Sequence, residues 1–180
     1  MIFHTDFSDG KRLKEIIQET KSRLQMKMNG SGHTIALARA MSYFSELAQF
    51  SDGVEGISYY RFLCDLEEHF EEKKDGLVAI FKQILEYVLC QEHVIVSITG
   101  DEDGYAALTE CGADFLKLLK EKRVGEKPQA DLSFLAYGKN EGLKTAGQIQ
   151  YVARAGNFVE KGLGYHGALH ILKVILSYDY

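Results

Sequence analysis

A chain of 180 residues with 46% hydrophobic and 26% charged side chains and a single proline has the composition of an ordinary globular protein, neither disordered nor fibrous. At this length roughly 70% of the surface exposed by the unfolded chain can be buried, enough for a real core in one domain or in parts of two. The formal charge of −5, with 21 basic residues interspersed among 26 acids, argues against a general nucleic-acid surface, which needs a clustered positive field.

Cys64, Cys90 and Cys111 are odd in number, widely separated and without a Cys-x-x-Cys pair. They fit reduced thiols in a cytoplasmic protein and are read as small apolar core residues. Met1 to Gly10 has no basic segment followed by an apolar run, and no stretch reaches the roughly 20 apolar residues that span a bilayer. The chain therefore reads as soluble and unexported, with no membrane partner.

From Lys11 to Met28, Leu13, Ile16, Ile17, Leu24 and Met28 fall on one helical stripe, with Ser8 or Asp9 available as a cap. Asn29 to Gly32 break this helix. A second, alanine-rich helix follows with Ile35, Ala38, Met41, Ser45 and Ala48 along one face, its small residues suited to close packing. After a turn from Ser51 to Gly56, Ser58 to Glu72 reads as a third helix, and Leu77, Ile80, Phe81, Ile84, Leu85 and Val88 mark a fourth. His93 to Thr99 is short and β-branched and is expected to be a strand, turning at Gly100 and Asp101 into a fifth helix through Tyr105, Leu108, Phe115, Leu118 and Leu119.

The charged run from Lys117 to Lys127 and Pro128 mark the expected boundary between a helix-rich unit, 1–127, and a second unit, 128–180. In the second, Ala130 to Ala136 and Gln148 to Ala153 are expected strands, and Ala168 to Tyr178 an apolar helix. Ile171, Leu172, Val174 and Ile175 spread over more than one stripe of that helix, so it needs cover on more than one side. With part of that cover missing, the helix is expected to pack against another copy of the chain or to be poorly ordered near Tyr180. The expected fold class is α+β, a helix-rich unit followed by a truncated strand-and-helix unit.

Few residues suggest chemistry. His166 and His170 stand four apart and on a helix would share a face, the spacing of a metal pair. A His-x-x-Glu-His peptidase site also needs a glutamate to polarise water and a third protein ligand, and Leu169 occupies the glutamate's place. The bland reading puts His166 near the helix start and His170 on its wetter face. His69 opens His-Phe-Glu-Glu-Lys73, with lysine where a second histidine is required, and reads as a surface residue. Thr99 to Gly104 has the composition of a calcium loop but is too short for one, and acidic capping of the next helix explains it better. No phosphate loop, dinucleotide fingerprint or nucleophile elbow occurs. No catalytic, cofactor-binding or metal-binding residue is assigned.

Seven strings stand out along the chain: Ala38-Arg-Ala-Met-Ser-Tyr-Phe-Ser45, Gly56-Ile-Ser-Tyr-Tyr60, Val96-Ser-Ile-Thr-Gly-Asp101, Glu126-Lys-Pro-Gln129, Asn140-Glu-Gly-Leu-Lys-Thr-Ala146, Gln148-Ile-Gln-Tyr-Val-Ala-Arg-Ala-Gly-Asn157 and Leu172-Lys-Val-Ile-Leu-Ser-Tyr-Asp-Tyr180. In this order they resemble the C-terminal, non-zinc half of insulinase-type (pitrilysin superfamily) zinc metallopeptidases, in the presequence protease and falcilysin branch. The resemblance implies a clam-shell of two halves, each of two similar two-layer α/β domains, that encloses an unfolded peptide. Units 1–127 and 128–180 would then hold part of the third domain with the start of the next, and a truncated C-terminal domain.

It also implies zinc in the parent enzyme, bound in the N-terminal catalytic half and by no residue here, and an arginine and tyrosine near the zinc supplied by a segment outside this sequence. The partners implied are that N-terminal half and unfolded peptides. This chain would be a piece of the peptidase that supplies chamber wall and substrate contacts and is inactive alone. The competing expectation is a free-standing peptide-binding module in which Gln148 to Ala153 pairs with an extended peptide.

Overall fold

A computed structural model of the chain describes residues 6–121, 140–145 and 148–178. Seven helices run through these residues: α1 (Gly10–Gly30), α2 (Gly32–Met41), α3 (Glu46–Glu55), α4 (Ile57–Glu68), α5 (Phe70–Val88), α6 (Glu102–Lys117) and α7 (Ala168–Tyr178). Single 3-10 turns lie at Gln91–His93 and Val159–Lys161.

The helix starts follow capping chemistry. Asp9, not Ser8, caps α1: its Oδ1 accepts the Arg12 backbone N–H at 3.0 Å, satisfying one of the orphan donors of the first turn. At α6 the Asp101 side chain accepts from the Gly104 N–H at 2.9 Å, and Glu102 and Asp103 add negative charge at the positive end of the helix dipole. The acids of Thr99 to Gly104 thus have a capping role.

The α+β expectation is overturned. Helix accounts for 68% of the structure, and the described residues contain no strand, only one isolated parallel bridge between Cys90 and Lys120. His93 to Thr99 and Gln148 to Ala153 are expected as strands from their β-branched content, yet neither is one. A strand exists only when its backbone groups find a ladder partner, and residues 94–99 and 148–153 have none among the described residues. Their apolar side chains stay wet, with Ile95 94% and Val152 87% exposed. The expected strand Ala130 to Ala136, Pro128 and the boundary between 127 and 128 lie outside the described residues.

Three helix boundaries also differ. The stripe from Ile35 to Ala48 is two helices, because Ser42 bonds the Arg39 carbonyl at 2.7 Å and Ser45 caps α3 by accepting from the Ala48 N–H. Ser51 to Gly56 is not a turn but the end of α3, broken only at Gly56. A side chain at Gly56 would place its Cβ 2.4 Å from Asp52 Oδ1 and 2.7 Å from Asp52 Cα, so glycine is required by the close approach of the two residues. The helix expected over Ser58 to Glu72 breaks at His69, where α4 gives way to α5.

The chain divides into two compact units, one of Met1–Gln18 with Asp65–Asp131 and the other of Glu19–Cys64 with Leu132–Tyr180. In the first, Ile17, Leu66, Phe70, Cys90 and Leu119 are buried. Phe7 packs on Phe81 with ring centroids 5.3 Å apart, and Lys14 lies over the Phe70 ring. Gln91 joins the ends of this unit, its N–H donating to the Lys120 carbonyl and its side chain to the Leu116 carbonyl, each at 2.9 Å. In the second unit Tyr43, Ile57 and Leu63 form the apolar core beside buried Ser42 and Asp52. The reading of all three cysteines as core residues holds for Cys90 but not for exposed Cys111, while Cys64 is intermediate.

Candidate functional site

The residues singled out by spacing are placed by local contacts and are not gathered into a site. His166 Nδ1 accepts the Ala168 N–H at 3.2 Å just before α7. His170 is exposed, and its Nε2 meets the Tyr165 hydroxyl at 2.5 Å with the rings edge to face. Leu169 brings no carboxylate between them, and among the described residues no group of three or more His, Cys, Asp or Glu is placed to hold a metal. His69 and Lys73 both turn to Asp65 on an exposed face, and the hydrogen bond from Lys73 holds the Asp65 carboxyl below the usual carboxylate range.

The strongest constellation is one that spacing does not reveal. In the second unit Arg39 of α2 reaches two carboxylates: its Nη1 donates to Asp52 Oδ2 of α3 at 2.6 Å and its Nε to Glu141 Oε2 at 2.7 Å. The Arg39, Asp52 and Glu141 side chains are 12%, 5% and 11% exposed, so the pairs lie largely out of water, where unpaired charge is costly. Tyr43 follows one turn after Arg39, its hydroxyl donating to Glu141 Oε2 at 2.6 Å and its ring 5.0 Å from the guanidinium carbon. Arg61 of α4 donates to Glu141 Oε1 at 2.9 Å.

Asp52 has a second duty. Its Oδ1 accepts the Ile57 N–H at 3.0 Å, and its Oδ2 accepts the Ser58 N–H at 3.3 Å and the Ser58 hydroxyl at 2.5 Å. A buried carboxylate thus sits at the N-terminus of α4, where the dipole and free N–H groups favour negative charge.

Two guanidinium groups meet two carboxylates, and each carboxylate oxygen accepts at least one hydrogen bond. The cluster is a lock, not a source of base. The Glu141 carboxyl is held at about 2, against 4.5 normally, first by the hydrogen bond from Arg39 and against the opposing effect of burial. Burial alone would lower Arg39, but its bond to Glu141 and the charge of Asp52 raise it instead. Burial and the bond to Glu141 raise Tyr43. At neutral pH Glu141 is fully ionised and a poor proton acceptor.

A pH dependence follows. Because folding depresses the Glu141 pKa, its stabilising contribution is complete above 4.5 and is lost as the pH falls from 4.5 toward 2. Glu141→Gln should be less stable than the parent at pH 6 and should lose less on acidification through that window. Acid titrations of the two proteins followed by circular dichroism test this, and coincident stability curves would show that Glu141 contributes nothing.

Beside the lock lies a cleft of about 730 Å³, bounded on one side by Ile35, Ala36, Arg39 and Ala40 of α2 and on the other by residues 140–145 and 148–153. Arg39, Tyr43, Ser58 and Glu141 all stand inside strings that carry the family resemblance, which was the available signal. Asp52 and Arg61 stand outside them.

No described helix is long and apolar enough to cross a membrane. Residues 1–66 match the family described as associated with peptidase family M16, subfamily C. Protein HypA of Clostridium perfringens is 32% identical over 180 residues, covering 100% of this chain and 18% of its own. Presequence protease 1, chloroplastic/mitochondrial, of Arabidopsis thaliana is 27% identical over 177 residues, 98% of this chain and 16% of its own. Presequence protease, mitochondrial, of Yarrowia lipolytica is 26% identical over 103 residues, 57% of this chain and 10% of its own. The chain spans less than a fifth of the length of these curated relatives. The match to the peptidase-associated family and the similarity to relatives named presequence protease support a C-terminal, non-zinc portion of an insulinase-type (M16) peptidase.

Proposed function

We propose that this chain serves a zinc metallopeptidase that degrades unfolded peptides, supplying chamber wall and substrate contacts while the N-terminal half of the enzyme carries the zinc. The observation behind this reading is the Arg39, Asp52, Glu141 and Arg61 lock beside an open cleft, in a chain related to presequence proteases. Glu141, which lines the cleft, is committed to Arg39, Tyr43 and Arg61, so it shapes a wall and accepts no proton from water. The residues do not fit a zinc site: His166 and His170 have separate local partners and Leu169 offers no base. Nothing in this chain is therefore routed through the metal.

The purified chain should hydrolyse no unfolded peptide, with or without added zinc. Zinc-dependent cleavage that follows the protein through purification and disappears in His166→Ala would reverse the assignment. Translating the genomic sequence on both sides tests the larger claim, with a His-x-x-Glu-His half upstream as the expected result.

A second reading, a free-standing peptide-binding module, draws on Gln148 to Ala153 along the cleft, whose main chain bonds to no described residue. An open reading frame with no peptidase half beside it would favour that reading.

A further inference from the structure

One basic cluster of the first unit is absorbed neither by helix capping nor by ion pairing. A hollow of about 290 Å³ lies where the starts of α1 and α5 meet, lined by Gly10, Lys11, Lys14, Phe70, Glu71 and Lys74. Phe70 is 3% exposed and supplies an apolar floor, with the Lys14 ammonium 5.7 Å from its ring centroid. Gly10 faces the same ring, since a Cβ there would lie 4.0 Å from Phe70 Cε1, and its lack of a side chain leaves the hollow open.

Three ammonium groups thus line the hollow against a single carboxylate. That carboxylate, Glu71, is already paired with Lys74 at 2.9 Å. Lys11 and Lys14 form no ion pair with a described residue. Asp9 and Glu72 are close in sequence, but neither lines the hollow, and Asp9 is engaged as the cap of α1. The placement also opposes helix electrostatics. Lysine is favoured near a helix C-terminus, yet Lys11 and Lys14 stand at the start of α1, whose first turn holds no acid. A local rule broken without an internal compensation is expected at a functional position. Like charges gathered in this way repel, and an anion between them turns the repulsion into attraction.

We infer that the hollow binds a phosphate group, held by Lys11, Lys14 and Lys74 beside the Phe70 ring. Lysine binds phosphate as a point charge, whereas a carboxylate is matched best by the planar fork of arginine, and no arginine lines the hollow. Small-molecule sites start at roughly 300 Å³, so a hollow of this size takes inorganic phosphate or a phosphate monoester with a small organic part. The site belongs wholly to the first unit and goes beyond the peptidase reading.

The test titrates the isotope-labelled full chain with inorganic phosphate and with glycerol phosphate at constant ionic strength, following the amide resonances of Lys11, Phe70 and Glu71. Saturating shifts are expected with both. Lys11→Gln, at an exposed position without an acid partner, should weaken binding about tenfold, as should Lys14→Gln. Lys27→Gln makes the same charge change on α1 outside the hollow and should leave binding as it is. Glu71→Gln removes the one competing carboxylate and should tighten binding, a direction in which damage to the fold does not act. Tighter binding of glycerol phosphate supports the site with a monoester as its ligand, and equal or weaker binding supports it with the free ion.

Shifts that never saturate, or that sodium chloride reproduces, would overturn the inference. Equal losses in Lys11→Gln and Lys27→Gln would do so as well, because they would reduce the effect to the overall charge of the chain.

Discussion

Replacing Asp52 with alanine is expected to lower the unfolding free energy of the second unit by about 3 to 5 kcal/mol, the cost of stripping one partner from a buried ion pair. The Asp52 side chain is 5% exposed and accepts from Arg39, the Ser58 hydroxyl and two backbone N–H groups of α4. Its loss leaves Arg39 one carboxylate, that of Glu141, and uncaps a helix in one step. Asp52→Asn keeps an acceptor for the Ile57 N–H but removes the charge, and should fall between the parent and the alanine variant. Urea titrations followed by circular dichroism measure the difference. A loss for Asp52→Ala of less than about 1 kcal/mol, the value of an exposed pair, would show that solvent screens the cluster.

The second large effect concerns association. Ile171, Leu172, Val174 and Ile175 of α7 are 65%, 48%, 53% and 52% exposed, and no residue of the helix is buried. Each would gain about 1.5 to 3 kcal/mol on going from fully exposed to fully buried, and about half of that remains available here. Four such side chains on an 11-residue helix make a patch that favours contact with another copy of the isolated chain. Light scattering should show association at high concentration, and Ile171→Glu with Ile175→Glu, one turn apart, should return it to monomer. A parent chain that stays monomeric with α7 folded would sink this expectation.

How much was legible differs by element. The ends of α1 and α7 could be read closely, because Asp9 marks the first start and Ala168 to Tyr178 is mostly apolar with no glycine or proline to break it. The break at Ser42 to Ser45 was hidden because serine fits the small-residue stripe, and only its hydroxyl bonds reveal a competing local structure. His93 to Thr99 and Gln148 to Ala153 have strand composition, but pairing is a property of a neighbour that local pattern does not contain. The lock was missed for a related reason. Arg39 and Glu141 lie 102 positions apart, and an arginine on an alanine-rich helix reads as solvated until its partner is known. Long-range charge pairing has no period to detect, whereas the capping acids at Asp101 act within a single turn.

Asp52 belongs to α3 yet holds the first amides of α4, so the two helices share one opening event. Amide hydrogen exchange offers a direct view, since protection reports the cooperative unit in which each N–H is released. Ile57 and Ser58 donate to the Asp52 side chain, not to a helical carbonyl, so their protection is set by the integrity of α3. Their amides should exchange at a rate that tracks the interior of α3, ahead of the later turns of α4, which hold their own helical bonds.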